Sequence, residues 1–194
     1  MENKQKIRTQ MKEKRDAISE EIRREKEKII TYRLINSGWF AKAENILVYA
    51  AIKSEVRLWD FIQKAWENNK HLFFPKVSGR QMDFFCIHSK EELTEGAFSV
   101  LEPDTDQYRL ELFHAGTFSP EASVMLVPGV AFSEDGYRIG YGGGYYDRYL
   151  AAHRELYTAG IAYAQQLVPR IPAEEHDIQL NEIISDKKVL RLKN

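Results

Sequence analysis

Apolar residues in the first 36 positions recur at Ile7, Met11, Ile18, Ile22, Ile29, Ile30 and Leu34 among dense Lys, Arg and Glu. The spacing follows one helical face, and a break at Ile18-Ser19 predicts two helices. Ser19 is a natural N-cap and Glu20-Glu21 suit a first turn, while Ile22 three positions on means that no reciprocal capping box forms. Beyond residue 40 the pattern changes to short apolar runs. Residues 46–51, 71–77, 82–88, 124–127 and 158–164 read as strands, with 183–184 and 189–190 as short closing strands. Residues 58–66 and the breaker-free segment from Tyr145 read as helices. The stretch 89–116 is polar and carries a turn at Glu102-Pro103-Asp104. Strands alternating with helices predict an α/β fold: a single domain over residues 1–194, built as a three-layer α/β/α sandwich with a mostly parallel sheet and an N-terminal helical segment.

One segment departs from this plain alternation. The 124–127 run stops at Pro128-Gly129, Asp135-Gly136 offers a turn, and Arg138-Ile139-Gly140-Tyr141-Gly142-Gly143-Gly144 leads into the helix at Tyr145. The prediction is strand, glycine-rich loop, helix. A helix N-terminus presents unpaired amides and a positive dipole end, which suits an anion, and glycines let the backbone approach it closely. Arg138 adds a fork of donors matched to phosphate oxygens, and Asp147 can hold a magnesium ion bridging them. The spacing is neither that of a P-loop nor that of the dinucleotide fingerprint.

Val127-Pro128-Gly129-Val130-Ala131-Phe132, followed by Gly136-Tyr137-Arg138-Ile139-Gly140-Tyr141-Gly142-Gly143-Gly144-Tyr145-Tyr146-Asp147-Arg148, resembles the signature of the 5-formyltetrahydrofolate cyclo-ligases, also called methenyltetrahydrofolate synthetases. Gln166-Leu167-Val168, Ile171-Pro172 and His176-Asp177 continue the likeness. Ser99-Val100-Leu101-Glu102-Pro103 keeps the family's Glu-Pro and lacks its glycine. The resemblance implies ATP-dependent conversion of 5-formyltetrahydrofolate to 5,10-methenyltetrahydrofolate, with Mg2+ and with release of ADP and phosphate. It places Lys4 and Arg8 at the ATP, with Arg138, Gly140, Tyr141, Gly142, Gly143, Gly144, Tyr145 and Tyr146. It places Glu55, Ala50 and Tyr146 at the folate, Asp147 and Asp177 at magnesium, and Arg138 and Tyr145 beside the reacting groups. Read from the residues alone, Lys4 and Arg8 are also an ordinary solvated pair on one helix face. Glu55 either accepts from an amino-bearing heterocycle or starts the next helix, and His176-Asp177 by itself reads as an ordinary polar turn.

Charge and composition narrow the alternatives. The 194 residues carry 28 basic and 29 acidic side chains, a net charge of −1, so no overall field favours nucleic acid or an anionic membrane. A lone cysteine, Cys86, sits in the apolar run Phe84-Phe85-Cys86-Ile87 and reads as a buried small hydrophobe in a reducing compartment. A charged N-terminus and the lack of any spanning apolar stretch predict a cytoplasmic protein; the resemblance implies 5-formyltetrahydrofolate as its small-molecule partner, and the expected state is a monomer or weak homodimer. Lys76 is a further candidate anion contact. A small kinase or phosphosugar isomerase would use the same loop without a folate pocket, and a nucleic-acid-binding module fits the charge poorly.

Overall fold

The structure, a computed structural model, describes residues 3–96, 100–114, 117–174 and 177–192. Helices α1 (Lys4–Asp16) and α2 (Glu20–Ile35) lie where the apolar stripe predicts them, and the Ser19 hydroxyl caps α2 by accepting from the Ile22 amide at 3.4 Å. The chain continues through β1 (Asn45–Leu47), α3 (Trp59–Glu67), β2 (His71–Ser78), β3 (Gln81–Ile87), β4 (Leu93–Glu95), β5 (Leu101–Pro103) and β6 (Ser123–Val127). Then come β7 (Ala131–Ser133), β8 (Arg138–Ile139), α4 (Tyr145–Ala152), β9 (Tyr157–Ala162), β10 (Leu167–Val168), β11 (Glu182–Ser185) and β12 (Val189–Arg191).

Among the described residues the main sheet has seven strands in the order β12-β11-β9-β6-β1-β2-β3. The pairs from β11 to β2 are parallel, and the two edge strands, β12 and β3, run antiparallel to their neighbours. Alternation along each strand sends side chains to opposite faces. Ile46, Leu72, Phe74, Val124 and Leu126 pack under α2 and α3, whereas Leu47, Phe73, Met125 and Val127 join Tyr149 and Leu150 of α4 on the other face. This is the expected three-layer sandwich. Cys86 is buried in the second cluster, and desolvation pushes its thiol up to about 11, as befits a packing residue. Among the described residues no helix is long and apolar enough to cross a membrane.

Several predicted elements change on folding. The strand expected over 46–51 leaves the ladder after Leu47, although Val48 and Tyr49 remain buried: Tyr49 turns its hydroxyl to Val56 O at 2.9 Å and fixes the return of the chain. Pro75 is accommodated inside β2 because the pairing with β1 has ended at Phe73. The polar stretch near residue 100 holds a small antiparallel hairpin, β4 with β5, instead of only a turn. Lys76 ties that hairpin down, donating to Pro103 O at 2.9 Å with Glu102 at 3.8 Å. The segment after Pro128, expected as loop, contains β7 and β8, which with β10 make a second sheet. Ile7 and Met11 of α1 pack on that sheet with Val130, Ala131, Ile139 and Ile171.

The topology has one crevice of consequence. From β1 the chain moves to β2 on one side, then returns to β6 on the other, so the order reverses between the adjacent strands β1 and β6. The carboxyl ends of strands at such a reversal leave an opening in which open α/β sheets bind ligands. Residues 48–56 leave β1 there, and Pro128-Gly129 leave β6.

Candidate functional site

Around this opening the fold gathers most of the residues singled out in the sequence. The glycine loop runs from β8 to α4, with Gly142 at φ +105° and Gly144, the residue before α4, at φ +66°. Both conformations favour glycine, and a Cβ on Gly144 would stand 2.7 Å from an Arg148 guanidinium nitrogen. No side chain caps α4, so its first amides remain directed at the loop.

Arg138 enters from β8. Its side chain is buried, with Nη2 2.8 Å from Asp147 Oδ1 and the guanidinium 5.6 Å from the Tyr146 ring centre. Its Nε is buried without a hydrogen-bond partner among the described residues. Burial lowers the Arg138 pKa from its usual value, with Asp147, Tyr146 and Asp177 opposing the shift, so Asp177 is electrostatically close as well. From α1, Lys4 Nζ donates to Asp177 Oδ2 at 2.7 Å and lies 3.2 Å from Glu174. Arg8 Nε donates to Gly140 O at 2.8 Å, and a second nitrogen donates to Gln5. Three cations and two candidate metal ligands therefore converge on the loop.

The other end of the opening is built from residues after β1. Glu55 is buried, and one carboxylate oxygen accepts from the Ile52 amide at 2.9 Å. Burial pushes its pKa up to about 7, with the Ile52 amide, Arg15 and the Tyr141 hydroxyl pulling it back. Glu55 thus does not begin α3, whose first residue is Trp59. Tyr146 couples electrostatically to both Glu55 and Arg138, and burial holds its hydroxyl far above the ordinary tyrosine value. Ala50, half-buried, follows Tyr49 on the same stretch. A cleft of about 370 Å³ opens beside α1, lined in part by Arg8, Lys12, Asp16 and Tyr141.

Tyr145 is engaged elsewhere. Its hydroxyl donates to Gly79 O at 3.0 Å, while Arg148 donates to Gly143 O and Arg80 O, both at 3.0 Å. These bonds fasten the glycine loop to the turn between β2 and β3. His176 and Ser99, quoted with the family likeness, lie outside the described residues.

Arg15 was not legible as a site residue. Its side chain is fully buried, and it donates to Ser54 Oγ at 3.0 Å, to Gly129 O at 3.4 Å and to the Tyr141 hydroxyl. A signal existed: Arg15 falls on the buried stripe of α1 with Ile7 and Met11, where a charge is out of place.

A family model for the 5-formyltetrahydrofolate cyclo-ligases matches residues 1–186. The chain belongs to the 5-formyltetrahydrofolate cyclo-ligase family, a family of enzymes. A mouse (Mus musculus) 5-formyltetrahydrofolate cyclo-ligase is 28% identical, covering 92% of this chain and 91% of its own. The Escherichia coli K12 cyclo-ligase is 28% identical over 92% of this chain and 98% of its own. The solved structure of Aquifex aeolicus 5,10-methenyltetrahydrofolate synthetase superposes with a TM-score of 0.83 at 33% identity, covering 98% of this chain and 93% of that one. The Mycoplasma pneumoniae synthetase gives 0.75 at 28% identity, covering 95% and 99%. The cyclo-ligase fold thus extends from α1 to the last strands, and the opening between β1 and β6 lies well inside it.

Proposed function

We propose that the protein converts 5-formyltetrahydrofolate to 5,10-methenyltetrahydrofolate at the expense of ATP, in the opening between β1 and β6. The observation that carries this reading is Arg138: a buried guanidinium with an orphaned Nε, beside a glycine loop and an uncapped helix start. With Asp147 taking Nη2, the Nε donor is left for an oxygen that the described residues do not supply, which suits a phosphate. The donor set fits a triphosphate, with Lys4, Arg8 and Arg138 around the backbone of Gly140 to Gly144 and Tyr141 along one wall. Glu55 then serves the amino-bearing pterin, with Ala50 beneath it and Tyr146 between the two ligands.

The residues also fit a metal brought by the nucleotide. Among the described residues no group of three or more His, Cys, Asp or Glu forms a cation site by itself. Two carboxylates together with phosphate oxygens and waters suffice for magnesium, and Asp147 and Asp177 would hold it there. When bound, that ion would neutralise charge on the phosphate oxygens.

The formyl group on N5 is amide-like, a poor electrophile with a poor leaving group. Transfer of the γ-phosphoryl breaks its bond to ADP and forms one to the formyl oxygen. The N10 lone pair then attacks the formyl carbon, the carbon–oxygen bond breaks, phosphate departs, and N10 gives up its proton. The nucleophile belongs to the substrate, so the chain's task is positioning and charge stabilisation. Lys4 and Arg138, held by Asp177 and Asp147, exchange those carboxylates for phosphate oxygens as ATP enters. Tyr145, through Gly79, keeps the loop in place during the transfer. This reading takes residues 1–194 as one cytoplasmic domain working as a monomer or weak homodimer.

The test mixes purified protein with 5-formyltetrahydrofolate, magnesium and ATP and follows the methenyl-folate absorbance band. An ATP-dependent rise is expected. A folded protein that binds ATP and gives no rise would overturn the folate assignment.

A further inference from the structure

The fully buried Arg15 is costly to hold in a protein interior unless its donors are used. Here they are distributed over three segments that meet at the opening. Nε reaches Ser54 Oγ at 3.0 Å, just before Glu55; Nη1 reaches Gly129 O at 3.4 Å, just past β6, and stands 3.9 Å from Glu55 Oε1. Nη2 reaches the Tyr141 hydroxyl in the glycine loop, which draws the Glu55 pKa down. Ser54 passes the chain back to Asp16 on α1. Gln166 independently holds the Gly129 carbonyl at 2.7 Å, so the backbone after β6 keeps its place without Arg15. Only a flat guanidinium fork serves these diverging partners together; a lysine ammonium is a compact point charge.

We infer that Arg15 is a positioning residue that sets Glu55 for the folate, holds the Tyr141 hydroxyl of the ATP loop toward it, and ties the seating of α1 to that end of the opening. This rests on the folate reading given above. The titratable groups facing Glu55 are Arg15 from α1, Tyr141 from the glycine loop, Tyr146 from α4 and Tyr49 from the stretch after β1. Arg15 is the cation among them and draws the Glu55 pKa down. Its removal therefore moves Glu55 ionisation to higher pH, and folate binding that needs the carboxylate follows.

The experiment measures calorimetric binding of 5-formyltetrahydrofolate and of ATP, separately, from about pH 6 to 9. It compares the full chain with Arg15→Lys, Arg15→Met and Tyr141→Phe. Arg15→Lys is expected to weaken folate by about tenfold or more while ATP changes by less than about threefold. Arg15→Met is expected to move the midpoint of folate binding upward in pH. If the Arg15 variants do not fold, Tyr141→Phe removes the linking hydroxyl from a residue 44% exposed, and the same upward movement is expected. Parallel loss of both ligands in the Arg15 variants, or an unmoved midpoint of folate binding in Arg15→Met and in Tyr141→Phe, overturns the inference. Unmodified protein that binds ATP and no folate removes the folate reading itself, and is recognised before any variant is compared.

Discussion

Arg138 and Glu55 are both buried and charged, and neither is placed for stability. Arg138 Nε has no hydrogen-bond partner among the described residues, a buried donor that costs stability. Arg138→Ala is expected to lower kcat/KM for ATP by roughly tenfold to a hundredfold, the worth of hydrogen bonds to a charged group, while denaturant unfolding shows little loss of stability. Normal ATP kinetics in that variant would remove Arg138 from the site. Glu55 gives a pH prediction whose sign follows from burial. Its folded pKa of about 7 lies above the ordinary carboxylate value of 4.5. Below pH 4.5 it is neutral in both states; as pH rises through 4.5 to 7 the unfolded chain ionises first and stability falls. Glu55→Gln is therefore expected to be more stable than the parent above pH 7, by on the order of 3 kcal/mol at most, with no gain near pH 4.5. The same change should raise KM for the folate or lower turnover with it by about tenfold or more. Urea titrations at the two pH values and initial rates check the two halves of the claim.

At the scale of elements, the glycine loop works because α4 begins on a left-handed residue. Gly144→Ala places a Cβ at φ +66° and 2.7 Å from Arg148, and is expected to destabilise by about 1–2 kcal/mol and to weaken ATP binding. Unchanged unfolding and unchanged ATP affinity would show the loop to be indifferent to that conformation. The central glycines, α1, α2 and the parallel strands were readable in the sequence because each rests on a long or repeated pattern. What escaped reading was short or misleading. β7, β8 and β10 span two or three residues each and leave no periodicity to detect. Val48 and Tyr49 extend the apolar run of β1 because they are buried, and beyond the Val48 amide, which donates to Phe73 O at 2.9 Å, the ladder to β2 ends. Arg15 drew no reading of its own among the dense charges of α1, since a charge on a surface helix is usually exposed, and the position of α1 against the second sheet turns it inward. Tyr145 stands in the middle of the family-like motif, yet its hydroxyl serves the turn at Gly79. A motif gives neighbours in sequence and says little about which way each side chain is committed.

For the whole molecule, the site is shared among parts distant in sequence: α1, the stretch after β1, the end of β6, the glycine loop and the segment around Asp177. A ligand bound there stabilises by mass action, about 2.7 kcal/mol at a hundredfold excess over its Kd. ATP is accordingly expected to slow hydrogen exchange in α1 and in the second sheet while leaving α3 and β3 near their unliganded rates. Uniform protection over the molecule, or none in α1, would contradict this arrangement.

The reversal of strand order between β1 and β6 also bears on how the working protein comes into being. Two neighbours in the sheet belong to stretches made at different times, since β2, β3, β4 and β5 all intervene between them in the chain. Parallel pairing across such a separation closes a long loop before any contact rewards it, and belongs to the slow part of folding. Helical signal can return early on dilution from denaturant, whereas ATP-dependent turnover is expected to return only with the last phase, because half of this protein holds no half of the site.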